Sequence, residues 1–165
     1  MYKRQAIKKL NRDDIELWVV GNKVEGYADI DLEGLAKKIG IEDKVCFFGQ
    51  QTGNALRMFF NECDIFCLPS VTVEGGEGEG IPVSLMEAMS YEKPVISTIH
   101  KGIPELVKEE LVKEKDVDGL VKALRKLIEN SELRRKQGKK NRKIVVERYS
   151  KKNIENLISI FKDEI

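Results

Sequence analysis

Two glutamates, one on each side of a predicted helix start, are the residues of this 165-residue chain whose types and spacing could do chemistry. Glu79 and Glu87 are separated by seven residues, and the stretch 74–80 that contains Glu79 consists only of glutamate and glycine. Glycine lets a backbone turn sharply and approach a ligand closely. A carboxylate can accept hydrogen bonds from two neighbouring hydroxyl groups. The pair therefore indicates a site for a ligand that carries hydroxyl groups.

The residues between the two glutamates predict an anion site. Pro82 suits the first position of a helix, where its missing N–H costs nothing. Val83 and Ser84 follow, and amides in the first turn have no partner inside their own helix. A glycine-rich loop that leads into the positive end of a helix commonly binds phosphate. A diphosphate flanked by two hydroxyl-binding carboxylates describes a nucleotide diphosphate sugar, which we expect as the ligand.

The stretch from Glu79 to Met89 reads E-G-I-P-V-S-L-M-E-A-M. It resembles the paired-glutamate signature of retaining glycosyltransferases of family 4, which have the GT-B fold. The spacing alone proves little, because a chain with 28 acidic residues meets it by chance. The flanking segments 64–70, 93–98 and 102–105 match in order as well, and they are most similar to transferases of bacterial exopolysaccharide and capsule assembly.

The resemblance implies a role for each site residue. Glu79 would be the catalytic residue that holds the sugar hydroxyls, and Glu87 would bind the ribose diol. The other donor-binding positions would be Gly80 and Ile81 at the sugar, Val83 and Ser84 at the diphosphate, and Phe48 and Gly49 at the nucleobase. The donor would be UDP- or GDP-linked. No metal or other cofactor is expected, since the sequence has no aspartate cluster of the kind that holds Mg²⁺ on a diphosphate.

The same resemblance implies which part of the family's domain this chain contains. Family members carry an Arg and a Lys on a loop after the first strand of this domain, and this chain starts at the helix that follows the loop. We therefore expect residues 1–165 to be one nucleotide-sugar-binding domain that lacks its first strand and an N-terminal acceptor domain. Two alternatives stay open: a stand-alone donor-binding subunit that works with a separate acceptor subunit, and an inactive relative that only binds nucleotide.

Composition argues against several other classes of function. The net charge of +1 argues against nucleic-acid binding. Cys46, Cys63 and Cys67 form no C-x-x-C pair, which favours buried reduced thiols over a metal site. The basic stretch 134–143 predicts a solvated helix face, with contact to anionic lipid as the alternative. We expect a cytoplasmic protein that could act at the inner face of the membrane.

The elements that must position the site follow from hydrophobic patterning. Short apolar runs alternate with amphipathic segments, which predicts a Rossmann-like α/β fold with a parallel sheet covered by helices on both faces. We expect residues 17–20, 45–48, 65–68 and 95–98 to be strands of one sheet. Ligands bind beyond the carboxyl ends of such strands. The loop at 70–80 leaves the third predicted strand at that end, so the fold and the motif place the site at the same edge.

His100 is the only histidine, and it follows the strand predicted at 95–98. A lone histidine could act as a general base. Retaining transfer on this fold is thought to need no base from this domain, so we favour a role in the loop. Lys101 occupies a position that is often glycine in the resembling proteins.

Overall fold

The protein has an α/β fold in which parallel strands alternate with helices, seen in a computed structural model that describes residues 2–21, 31–72 and 80–151. The strands in these ranges are β1 (Leu17–Val20), β2 (Val45–Gly49), β3 (Phe66–Leu68), β4 (Val95–Thr98) and β5 (Leu111–Val112). The helices are α1 (Tyr2–Leu10), α2 (Leu32–Ile39), α3 (Gly53–Glu62), α4 (Val83–Ser90), α5 (Ile103–Leu106), α6 (Val117–Ile128) and α7 (Ser131–Arg148), with a 3₁₀ turn at Glu42–Lys44. The predicted fold class is confirmed.

All strand pairs in the described ranges are parallel, as the sequence predicted. β1 pairs with β2, with Leu17 opposite Val45, and β3 pairs with β4, with Phe66 opposite Val95. β4 also pairs with the two-residue strand β5. Parallel pairing brings the carboxyl ends of β3, β4 and β5 to one edge.

The four predicted strands do not form one continuous sheet in the described residues. The ladders are a two-stranded sheet, β1–β2, and a three-stranded sheet, β3–β4–β5, and no ladder joins β1 to β3. The prediction of a single sheet was therefore wrong for these residues. Hydrogen-bonded strands must lie about 4.8 Å apart, and nothing in the apolar pattern shows which strands are that close. That the chain lacks the first strand of its domain, as the resemblance implied, stays a prediction.

The two sheets nevertheless share a hydrophobic core. Leu17 and Val19 of β1 and Cys67 of β3 pack against the same cluster, which is built largely from α1 and α6. Its fully or nearly fully buried members include Ala6 and Leu127, at 0% exposure. Side-chain packing therefore joins the sheets where hydrogen bonds do not.

A second core cluster lies under the helices that carry the candidate site. It contains residues of α4 and α5 together with Phe60 of α3 and Val95 of β4. β4 is buried along its whole length, as expected for a central strand that is covered on both faces. The site helices thus rest on a strand that has no exposed residue.

Local sequence signals explain several helix ends. The side chains of Asp31, Asp116 and Asn130 accept hydrogen bonds from backbone N–H groups at the starts of α2, α6 and α7. α2 ends at Gly40, whose left-handed φ of 67° is the conformation that glycine adopts without strain.

The N-terminal segment differs from expectation. In the sequence, residues 1–5 show no secondary-structure pattern of their own and residues 6–10 read as the tail of a helix, whereas α1 begins at Tyr2. Arg4 is buried in this helix, and burial lowers the pKa of its guanidinium. Amphipathic packing of α1 on the first core extends the helix beyond the part that propensity indicated. The helix predicted from Lys151 onward lies almost entirely outside the described residues.

Candidate functional site

The helix start that the sequence placed at Pro82 begins one residue later. Pro82 has φ −61° and ψ 125°, so it is the extended residue before the helix, and Val83 is the first helical residue. The prediction of Pro82 at the first helical position was wrong, because proline fixes φ but leaves ψ free to be extended. The amide of Leu85 donates to the Pro82 carbonyl at 3.1 Å. The amides of Val83 and Ser84 are then the first-turn donors that have no partner within the helix.

The two faces of α4 differ in their exposure to solvent. Leu85, Ala88 and Met89 are completely buried in the second core. Val83 is 64% exposed, and Glu87, one turn further along the same face, is exposed as well. Among the described residues the Glu87 carboxylate has no hydrogen-bond partner, so it can accept hydroxyl donors from a ligand. The exposed face of α4 thus combines first-turn amides and a carboxylate that have no hydrogen-bond partner among the described residues.

Gly80 and Ile81 lead into α4 and lie against the loop that follows β4. A Cβ on Gly102 would stand 3.1 Å from the Ile81 side chain and 3.9 Å from the carbonyl carbon of Gly80. Gly102 therefore allows the two chain segments to approach closely. Glu79, the predicted catalytic residue, lies outside the described residues, so its role stays a prediction.

Phe48 and Gly49 lie at the carboxyl end of β2. Phe48 is 38% exposed and packs on Phe59 with ring centroids 4.7 Å apart, and on Trp18 with centroids 5.9 Å apart. Gly49 has φ 63°, and its carbonyl accepts a hydrogen bond from Gly21. This aromatic edge is suited to a planar ring. No hydrogen bond, ion pair or ring contact within the described ranges joins this edge, at the end of β2, to the start of α4.

Side chains of β4 hold the segment that leaves β3. The Ser97 hydroxyl donates to the carbonyl of Leu68 at 2.7 Å, and the Thr98 hydroxyl donates to the carbonyl of Ser70 at 2.6 Å. Both β4 residues are almost completely buried. The path of the chain beyond β3 is therefore fixed by buried hydroxyl groups.

Glu114 holds the last described residue of that segment. Its carboxylate accepts from the backbone N–H of Thr72 at 2.8 Å, from the Thr72 hydroxyl at 3.0 Å, and from Nδ1 of His100 at 2.6 Å. The hydrogen bond from the Thr72 backbone, followed by the one from His100, lowers the pKa of Glu114 to about 2. The sequence favoured a loop role for His100 but missed Glu114, which is one of many surface-type glutamates and follows no motif.

The opposite end of α4 is held by α7. Asn141 donates to the carbonyl of Lys93 at 2.9 Å, and Arg142 donates to the carbonyl of Ser90 at 3.1 Å. Gly138 lies against the backbone of Glu92. The basic stretch that was predicted to be a solvated face therefore also contributes to packing, and it supports the site helix from behind.

Several cations of that stretch are bound within the protein. Arg134 donates to the carbonyls of Leu127 and Ile128 at 2.8 and 2.9 Å. Lys140 pairs with Glu109 at 2.5 Å. Arg135, Lys136 and Lys139 are exposed. Contact of this helix with lipid remains untested.

The described ranges contain neither a candidate membrane span nor a candidate metal cluster. No helix in them is both long and apolar enough to cross a bilayer. Nor do their His, Cys, Asp and Glu side chains form any group of three or more that could hold a metal ion.

The sequence of this chain is similar to those of known proteins. Residues 4–144 match the family model described as glycosyl transferases group 1. WcaL of Escherichia coli, named as a colanic acid biosynthesis glycosyltransferase, is 42% identical over 97 residues, which are 56% of this chain and 24% of WcaL. The amylovoran biosynthesis glycosyltransferase AmsK of Erwinia amylovora is 43% identical over 84 residues, which are 50% of this chain and 21% of AmsK. The chain thus spans about a quarter of the length of these relatives.

Solved structures with the same fold are also known. HepE of Anabaena in complex with UDP matches 99% of this chain and 44% of its own chain, with a TM-score of 0.86 and 19% identity. HepE in complex with UDP-glucose matches with a TM-score of 0.84. At this level of identity the likeness establishes the fold.

Proposed function

Because the chain belongs to the glycosyl transferases group 1 family, we propose that it is the donor-binding domain of a retaining transferase that moves a hexose from a nucleotide diphosphate sugar. The acceptor would be a surface glycan or a lipid-linked sugar at the cytoplasmic face of the membrane. The observation that carries the proposal is the exposed face of α4, where the amides of the first turn and the carboxylate of Glu87, about one turn further along, have no partner among the described residues. The names of WcaL and AmsK support a polysaccharide acceptor, and the bound UDP and UDP-glucose of HepE support the donor class.

The amides of Val83 and Ser84 would bind the diphosphate. A helix N-terminus stabilises an anion by about 0.3–1 kcal/mol when exposed and by up to ~2 kcal/mol when partly buried. Residues 80–87 contribute no Lys or Arg to balance the diphosphate. We therefore expect the amides to orient the diphosphate and cations outside residues 80–87 to supply most of its charge neutralisation.

Glu87 would bind the nucleoside end of the donor. Its carboxylate can accept from both hydroxyls of a ribose, and its place within a helix fixes its position. Phe48 and Gly49 would then adjoin the base, since they lie at the end of a parallel strand, where ligands of such sheets bind. Gln51 already donates to the Phe48 carbonyl at 2.7 Å, so contact with the base would use the Phe48 ring.

Glu79, Gly80 and Ile81 would adjoin the sugar. Glu79 would accept from the sugar hydroxyls and would stabilise the positive charge that develops at the anomeric carbon during transfer. The acceptor would be bound by a separate domain or subunit, because the matched region covers so little of the relatives. We expect this chain alone to bind donors weakly and to catalyse no transfer.

The test is donor turnover by the complete protein. UDP-glucose and GDP-mannose serve as probes, release of nucleoside diphosphate is measured, and NMR identifies the anomer of the product. We expect turnover of a nucleotide sugar with retained configuration. An inverted product would contradict the retaining mechanism, and absence of turnover across a panel of UDP- and GDP-sugars with lipid-linked acceptors would contradict the function.

A further inference from the structure

The loop between β4 and α5, residues 99–102, contacts both flanks of the segment 73–79. On one side, His100 bonds to Glu114, which in turn bonds to Thr72, and Nδ1 of His100 also lies 3.4 Å from the Thr72 hydroxyl oxygen. On the other side, Gly102 lies against Gly80 and Ile81. One short loop of four residues therefore fixes the residue before the segment and the two residues after it.

Hydrogen bonds to the Glu114 carboxylate link the loop to Thr72. Both carboxylate oxygens of Glu114 are used, Oε2 by the Thr72 backbone and Oε1 by the Thr72 hydroxyl and His100. An ionised carboxylate only accepts, so Nδ1 of His100 carries the proton. The His100 side chain is 10% exposed and that of Glu114 is 24% exposed, so their mutual bond is largely shielded from water, whereas Thr72 is exposed.

Backbone conformation gives the loop its shape. Lys101 has φ 43°, in the left-handed region that non-glycine residues adopt at a cost, and it lies between the two contact residues. The His100 amide donates to Thr98 and the Ile103 amide donates to His100. These bonds hold the loop in the strained conformation that directs His100 and Gly102 to opposite flanks.

We propose that His100 is a positioning residue: acting through Glu114, it fixes Thr72, and together with Gly102 it sets the separation of Thr72 and Gly80, between which the predicted catalytic Glu79 lies. The inference rests on the proposed function, since the flanks matter for catalysis only if a donor sugar binds there. His100 touches neither donor nor acceptor in this assignment. Misplacing a reacting group by about 1 Å can lower a rate on the order of a hundredfold.

The first part of the experiment measures hydrogen exchange of the Thr72 amide in the complete protein. His100→Ala removes the donor to Glu114, and His100→Asn retains an N–H near the position of Nδ1. Glu114→Gln offers one acceptor oxygen where the carboxylate offers two. Glu109→Gln, which breaks the surface pair with Lys140, is the matched control. We expect exchange to accelerate about tenfold or more in His100→Ala and Glu114→Gln, and to stay within about threefold of wild type in His100→Asn and Glu109→Gln.

The second part measures UDP affinity and UDP-glucose turnover for the same proteins. We expect His100→Ala to lower kcat about tenfold or more, to leave the Kd for UDP within about twofold, and to be rescued by His100→Asn. Unchanged Thr72 exchange in both His100→Ala and Glu114→Gln, or an unchanged kcat beside an active wild type, overturns the positioning role. Equal losses in UDP affinity and kcat indicate a general defect in the fold and overturn it too. A wild type that turns over no nucleotide sugar overturns the proposed function, whatever the exchange data show about the contacts themselves.

Discussion

Gly138 of α7 lies so close to the carbonyl oxygen of Glu92 that a Cβ at position 138 would stand 1.8 Å from that oxygen. The atoms it would meet belong to the backbone, which cannot rotate away as a side chain can. Glu92 itself has a left-handed φ of 58°. The turn after α4 thus packs closely against α7 at Gly138, where the helix has no side chain.

We predict that Gly138→Ala destabilises the protein by about 1–3 kcal/mol, because α7 must move away from α4. In an ordinary helix interior the same change stabilises by about 0.5–1 kcal/mol, so the sign is diagnostic. Urea unfolding measures the difference, and Lys139→Ala on the exposed side of α7 is the control. A Gly138→Ala protein as stable as wild type would show that the close contact is relaxed in solution.

A second prediction concerns pH. The folded pKa of Glu114 is lowered to about 2, mainly by the hydrogen bond from the Thr72 backbone and then by His100. A lowered folded pKa contributes stability above the unfolded pKa of about 4.5, and that contribution is lost as the pH falls toward 2. We expect wild type to be more stable than Glu114→Gln at pH 7 and the difference to shrink between pH 4.5 and 2. Denaturant unfolding across this range measures it; a constant difference would mean that ionisation of Glu114 has no part.

The third prediction separates the two glutamates of the motif. Losing one charged hydrogen-bond acceptor typically costs about 1.5–3 kcal/mol, so Glu87→Ala should weaken binding of the nucleoside diphosphate roughly ten- to a hundredfold. Glu79→Gln should leave that binding nearly intact and lower kcat severely, since its carboxylate acts most on the transition state. Calorimetry with the nucleoside diphosphate and turnover of the sugar donor, both in the complete protein, measure the two effects.

Glu62→Ala, on the exposed end of α3, is the control for this pair and should change neither quantity. If Glu79→Gln weakens the nucleoside diphosphate as much as Glu87→Ala does, the two roles are assigned wrongly. If neither variant changes binding or rate, the spacing of the glutamates is accidental.

The fourth prediction concerns the thiol of Cys46. The hydrogen bond from this thiol to the carboxylate of Glu16, followed by burial, raises its pKa, because the nearby negative charge disfavours the thiolate. Glu16→Gln should therefore speed the reaction of Cys46 with a thiol reagent at pH 8 several-fold, since the thiolate is the reactive form. Cys67 is the internal control, because burial raises its pKa to about 11. Equal rates for Cys46 in both proteins would mean that Glu16 does not control the thiolate.

Strands and their direction were predictable because they depend on local patterns. The β-rich run 17–20 and the buried run 95–98 are strands with the predicted bounds. The run 65–68 is a strand from Phe66 onward, and the strand predicted at 45–48 extends to Gly49. Such patterns carry no information about which strands are neighbours, so the division into two ladders could not be read from them.

The site was predictable only where a motif marks it. The free amides and exposed carboxylate of α4 follow from residues adjacent in sequence. The bond between His100 and Glu114 joins residues 14 positions apart, and the fit of Gly138 to Glu92 joins a residue of α7 to the turn after α4. Nothing in the basic stretch 134–143 indicates that Gly138 packs against another part of the protein. Contacts of this kind depend on tertiary packing, which overrides local preference.

The division into two ladders has a mechanical consequence. Backbone hydrogen bonds resist sliding of one strand along another, whereas packed side chains can slip by small amounts into a new arrangement. Force applied along the strands would pass within β3–β4–β5 through backbone bonds, but it would pass to β1–β2 through the shared core and through contacts such as the 3.4 Å hydrogen bond from Lys3 to the carbonyl of Cys67. Among the described residues, we therefore expect the coupling between the two ladders to be softer than the coupling within either ladder. We expect a displacement between the ladders to change the distance from Phe48, at the end of β2, to the amides of α4.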